Sequence, residues 1–159
     1  MNKYFVLLSS FVLASCATAY KNPQSTNAAD IEIVLKEPLK LYTAVSVFDG
    51  IECSASPNGE YVGSLGKEVK TEKLNFKVDA GRVVSFELFE RFEFTAEVVY
   101  PGQYCKNLLA FIPEKEGTYL IEYFPNCEYN FINTKTNEKV ITQKPTGKCH
   151  SGYLMGAYE

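Results

Sequence analysis

The chain reads as an all-β protein: an antiparallel β-sandwich behind an apolar leader and a polar spacer. Three observations predict this. From Ile31 onward, apolar residues recur with period two in short runs broken by Pro, Gly, Asn and Asp. Phe and Tyr, which suit pleated, half-buried surfaces, bring the aromatic share to 14% without a single Trp. No stretch holds helical spacing over three turns, and Val83 to Phe89 is apolar on both faces, as a strand deep between two packed layers is. Roughly nine short strands favour a sandwich of immunoglobulin- or transthyretin-like kind over an up-and-down barrel.

The first element, residues 1–15, is a leader. Lys3 supplies a positive start, and Tyr4 to Leu13 is apolar apart from Ser9 and Ser10. About 20 apolar residues are needed to cross a bilayer as a helix, so the run suits a signal segment better than a span. It ends on Leu13-Ala14-Ser15-Cys16: a branched apolar residue, two small ones, then a thiol. This quartet resembles the lipobox of bacterial lipoprotein precursors. The resemblance implies diacylglyceryl on Cys16, cleavage just before it and acylation of the freed amine. A single acyl chain binds marginally, at roughly 0.8 kcal/mol per buried methylene, whereas several give a stable anchor. In the best-studied lipoproteins an aspartate after the cysteine retains the protein at the inner membrane. Ala17 stands there, which implies an outer-membrane destination. The competing reading is cleavage after Ala19 at the A-x-A site Ala17-Thr18-Ala19, which releases a soluble secreted protein.

Residues 16–30, CATAYKNPQSTNAAD, are small and polar without periodicity and read as a flexible tether. The domain proper is expected over 31–159. Ile31 to Lys36 and Leu41 to Phe48 are strands separated by Pro38, and Asp49-Gly50 ends the second. Ser56-Pro57-Asn58-Gly59 is a turn before Tyr61-Val62. Leu74, Phe76 and Val78 alternate with polar residues up to Ala80-Gly81; Val84, Phe86 and Leu88 share a face. Phe92, Phe94, Ala96 and Val98 alternate with Glu93, Thr95 and Glu97 before the turn Pro101-Gly102. Leu109 and Phe111 lead into Pro113; Tyr119, Ile121 and Tyr123 form one face of the next strand. A last hairpin joins Tyr129 to Ile132 with Val140-Ile141 across Asn133 to Asn137.

Cys53, Cys105, Cys127 and Cys149 remain after Cys16, an even number that fits two disulfides in an oxidising compartment. Four cysteines allow three connectivities, and spacing alone does not choose among them. The preferred pairing is Cys105 with Cys127, opposed across a hairpin turning at Glu114 to Gly117, which leaves Cys53 with Cys149. Zinc is not expected: there is no C-x-x-C, and the single His150 adjoins Cys149.

The segment Phe111-Ile112-Pro113-Glu114-Lys115-Glu116-Gly117-Thr118-Tyr119, with Cys105 before it and Cys127 after, resembles a pattern in small exported bacterial β-sandwich lipoproteins of unknown function. Thr136-Asn137-Glu138-Lys139-Val140 continues the likeness. The resemblance implies fold and compartment, and no activity. Read physically, Pro113 ends a strand and Gly117 supplies a backbone angle for the turn. Tyr119 packs its ring inward while its hydroxyl reaches a loop carbonyl, as in the tyrosine corner of immunoglobulin-like domains.

Catalytic residues are not expected, because G-x-S-x-G, H-E-x-x-H and a phosphate loop are all missing and His150 has no partner by spacing. No cofactor is implied. The formal charge of −3, more negative once Lys3 is removed, argues against nucleic acid and against electrostatic membrane docking. The expected partner is the membrane, through the lipid on Cys16, together with an envelope protein or cell-wall glycan. Tyr100, Tyr104, Tyr129 and Tyr153 are candidates to stack on sugars, or else cross-strand packing residues. The role expected is non-catalytic binding or structural, in the cell envelope. An envelope inhibitor of a hydrolase, lysozyme or protease, is the alternative.

Overall fold

Alternating apolar residues can be buried only if each strand lays one face on a second layer, and the computed structural model is built that way. It describes residues 19–39, 42–53, 59–91, 104–147 and 149. Cys16 and the leader, the strand expected over Phe92 to Val98, Tyr100, His150 and Tyr153 lie outside these.

Nine strands occur among the described residues: β1 Ala28–Leu35, β2 Tyr42–Asp49, β3 Glu60–Leu65, β4 Lys73–Asp79, β5 Val84–Arg91, β6 Tyr104–Phe111, β7 Thr118–Tyr123, β8 Tyr129–Asn133 and β9 Glu138–Lys139. One sheet has the order β4-β1-β7-β8-β9 and the other β3-β2-β5-β6. Every pair is antiparallel except β1 with β7, where Ile31 stands beside Tyr119 in the parallel sense. No turn links those two strands directly, so no turn fixes their relative direction.

The five-stranded sheet is solvated on its outer face. There Lys77 pairs with Asp30, Lys73 with Glu32 and Lys36 with Glu122, at 2.7 to 3.0 Å. Its inner face contributes Ile31, Ile33, Phe76, Val78, Ile121 and Phe131 to the core. Phe111 of β6 is the hub between the layers, its ring centroid 5.7 Å from Phe86, 5.0 Å from Tyr119 and 4.9 Å from Phe131. The contacts with Tyr119 and Phe131 are edge-to-face, an arrangement that adds to what burial alone contributes.

β5 is buried along both faces, as its apolar run predicts. Val84, Phe86 and Leu88 enter the main core. On the other side the hydroxyl of Ser85 donates to the Gly50 carbonyl at 2.7 Å, and Phe89 stacks on Tyr104 at 5.3 Å. Phe48 packs there with the Cys53–Cys149 pair and Leu108 in a second apolar cluster.

Two expected hairpins differ from the structure for physical reasons. β6 and β7 do not form a hairpin: residues 112–117 arch from one sheet to the other, because both strands must face the same core from opposite sides. The last hairpin is tighter than predicted, with β9 at Glu138–Lys139 rather than Val140-Ile141, since Asn133 turns the chain by accepting from the Lys135 amide.

The chain on either side of the nine strands covers the sheet edges. Ala19 bridges Tyr61 in the parallel sense, and Gln143 bridges Ala110 in the antiparallel sense. Each bridge occupies backbone groups that an edge strand leaves unpaired.

Candidate functional site

Buried ionisable groups need a partner, and β5 carries two in an otherwise apolar strand. Glu87 is fully buried and Glu90 is 2% exposed. Glu87 faces away from the main core, where Lys106 Nζ meets its Oε1 at 2.8 Å and also donates to the Cys149 carbonyl at 2.9 Å. Lys106 thus ties a carboxylate on β5 to the backbone at the second disulfide.

Glu90 lies on the opposite face, at the corner where the sheets are cross-linked. Cys105, second residue of β6, is bonded to Cys127, with Cα atoms 6.0 Å apart. Cys127 follows β7 in a short turn, Pro125–Cys127, where Asn126 and Cys127 both have positive φ. This disulfide therefore joins the two layers. Around it, Glu90 Oε2 accepts from the Tyr123 hydroxyl at 3.0 Å and from the Cys127 amide at 2.9 Å. The Asn107 side-chain amide donates to the Cys127 carbonyl at 2.7 Å. Burial, then the charge of Glu90, raises the Tyr123 phenol well above its ordinary value. The phenol remains a donor throughout the neutral range. Glu90 and the two sulfurs are close enough to share an ion, but the sulfurs are bonded to each other and offer no thiolate.

The other disulfide joins Cys53 to Cys149, with Cα atoms 5.5 Å apart across a sequence separation of 96. Both bonds match the preferred pairing, but for Cys105 and Cys127 the geometry is inter-sheet and not that of a hairpin.

Residues 19–27 run along the sheet edges where their composition predicts a tether, and β1 starts at Ala28 rather than Ile31. The Tyr20 amide donates to the Tyr61 carbonyl and its hydroxyl to the Lys77 carbonyl. Its ring packs edge-on against Phe76, at 5.9 Å. Asn22 accepts from the Lys77 amide, and the Asn27 side chain donates to the Ala80 carbonyl. One tyrosine ring and two asparagines thus dock a segment that has no apolar periodicity. Burial, reinforced by Asp79 and Glu60, pushes the Tyr20 phenol up to about 12.

Among the described residues, two of the solvent-open clefts carry charged groups of both signs. One, of about 310 Å³, lies beside Tyr20, where Arg82 pairs with both Asp49 and Asp79. The other, of about 930 Å³, is formed by residues 35–38 and 66–73 at the far end of the sandwich. It carries Lys67 and Lys70 beside Glu37 and Glu72, while Lys36 and Lys73 are paired with Glu122 and Glu32. The hydrogen bond from Lys36 holds the Glu122 carboxyl below the usual carboxylate range. Both clefts carry charges of both signs, and among their lining residues no nucleophile is set beside a base.

Tyr119 forms a corner with the reverse polarity to that expected: its hydroxyl accepts from the Glu114 amide at 2.9 Å instead of reaching a carbonyl. Gly117 is needed for space, because a Cβ there would lie 2.6 Å from the Tyr119 ring and 2.9 Å from the Glu114 carbonyl. The positive φ falls instead on Glu116. Tyr104 and Tyr129 are packing residues, against Phe89 and the main core respectively. The sequence reading missed Glu87, Glu90, Lys106 and Tyr20. The available signal was two acids inside the run Val83 to Phe92.

No family model matches the chain, and no curated protein matches it.

Proposed function

We propose that the chain is a lipid-anchored cell-envelope protein with a non-catalytic binding or structural role. The observation that carries this is Leu13-Ala14-Ser15-Cys16 at the end of an apolar run. Two disulfides support it, since such bonds persist where thiols are not kept reduced. The non-catalytic part is supported by the way Glu87 and Glu90 are engaged, each with structural partners. Ala17, standing where an aspartate holds lipoproteins back, favours the outer membrane.

Metabolic labelling with palmitate tests the anchor. Label is expected on the wild type and none on Cys16→Ala. An unlabelled wild type, or a mature species beginning at Tyr20, ends the proposal. The role is tested by crosslinking in intact envelopes and by retention on isolated cell-wall sacculi. A stoichiometric protein partner or retention on glycan supports binding, whereas a captured lysozyme or protease whose activity is suppressed assigns inhibition instead.

A further inference from the structure

We propose that the sandwich rests one particular end on the lipid surface, with Ile112 and Ile141 seated among the headgroups as a second contact. This rests on the lipidation of Cys16. The argument begins with chain length. A free spacer over 16–30 would let the domain wander on the order of 20 Å from its anchor. Residues from Ala19 onward are instead hydrogen-bonded to the domain, at Tyr61, Lys77 and Ala80. Only three peptide steps separate Cys16 from Ala19, a reach of at most about 11 Å. The domain therefore stays against the bilayer.

The strand register determines which end faces the lipid. Ala19 pairs with Tyr61 in the parallel sense, next to the first residue of β3. Glu60 stands opposite Val47 near the end of β2, Asp49 opposite Val84 at the start of β5, and Val84 opposite Phe111 at the end of β6. Ile112 follows Phe111 at this same end and is 60% exposed. The antiparallel bridge between Ala110 and Gln143 brings the chain beside the end of β6 just after Ile141, which is 90% exposed. Val69, the other large exposed apolar side chain among the described residues, belongs to the opposite end, after β3.

Glu114 and Glu116 alternate with Lys115 beside Ile112, and Lys135 donates to the Glu116 carbonyl. Charge at this end is mixed, so the contact is apolar and insensitive to salt.

Because the chain has no Trp, single substitutions make unique reporters. Ile112→Trp, Ile141→Trp and Val69→Trp are purified as the lipidated mature form. Each is reconstituted in phosphatidylethanolamine–phosphatidylglycerol vesicles with and without brominated acyl chains. At positions 112 and 141 the emission is expected to shift to the blue and to be quenched by brominated lipid, equally at low and high salt. At position 69 it does neither. Equal quenching at all three positions, or none at 112 and 141 while mass spectrometry finds lipid on Cys16, overturns the orientation. A blue shift without quenching that grows with protein density assigns the patch to a second copy and also overturns it. Finding no lipid on Cys16 instead sinks the anchoring proposal itself.

Discussion

Replacing Tyr123 with Phe removes one oxygen from a fully buried ring and leaves the packing of β7 in place. The lost interactions are the 3.0 Å bond to Glu90 Oε2 and the longer contact with the Cys127 sulfur at 3.3 Å; among the described residues the Cys127 amide is then the remaining N–H or O–H donor to that oxygen. A hydrogen bond to a charged group contributes about 1.5–3 kcal/mol, so Tyr123→Phe is expected to destabilise by that amount. Glu90→Ala is worse, because it removes the carboxylate acceptor from both the phenol and the Cys127 amide, at about 1–3 kcal/mol each. In the double variant the phenol is no longer present to be orphaned. The two changes together should therefore cost less than their sum, by about the value of the shared bond. Urea unfolding with the disulfides intact, followed by circular dichroism, measures all three. A Tyr123→Phe cost below about 0.5 kcal/mol, the size expected of a change away from any such feature, refutes the reasoning. Additive costs refute it too.

The remaining predictions concern cross-links, the arch and alkaline pH. Loop-closure entropy gives about 3 kcal/mol for Cys105–Cys127, with a sequence separation of 22, and nearly 5 kcal/mol for Cys53–Cys149, with 96. Pairwise serine variants should therefore lower the urea midpoint in that order. Gly117→Ala should cost about 1–3 kcal/mol by crowding Tyr119 and the Glu114 carbonyl, and thermal unfolding would show a lowered midpoint. Tyr20 and Tyr123 have raised phenol pKa values, so their contribution to stability is intact below the unfolded value near 10 and is lost as pH rises, for Tyr20 through about 12. Absorbance titration at alkaline pH should show late-ionising phenols, one of which Tyr20→Phe removes, and Tyr20→Phe should flatten the stability loss.

Much of the architecture was legible because strands announce themselves locally. The alternation at Leu74, Phe76 and Val78 set the inward face of β4, and the apolar run from Val83 marked a strand buried on both sides. The Glu114–Gly117 turn was legible as a turn, but not as an arch. Turn residues specify that the chain reverses, whereas the sheet it returns to depends on which layer needs the next apolar face. Glu87 and Glu90 read as ordinary strand acids, since their partners, Lys106, Tyr123 and the Cys127 amide, are 15 or more residues away. The strap over 19–27 was missed for a related reason: low periodicity marks the absence of a self-contained strand, and says nothing about edges already waiting to be paired.

By itself the sequence determined the strands, the residues turned inward and the number of cross-links available, because period, turn chemistry and cysteine count are properties of neighbouring residues. Only the tertiary structure decided that β1 runs parallel to β7, that Cys105–Cys127 staples one layer to the other over a buried carboxylate, and that the chain is tied down from Ala19. Each of these needs groups distant along the chain to meet, and their meeting is set by the packing of the two sheets.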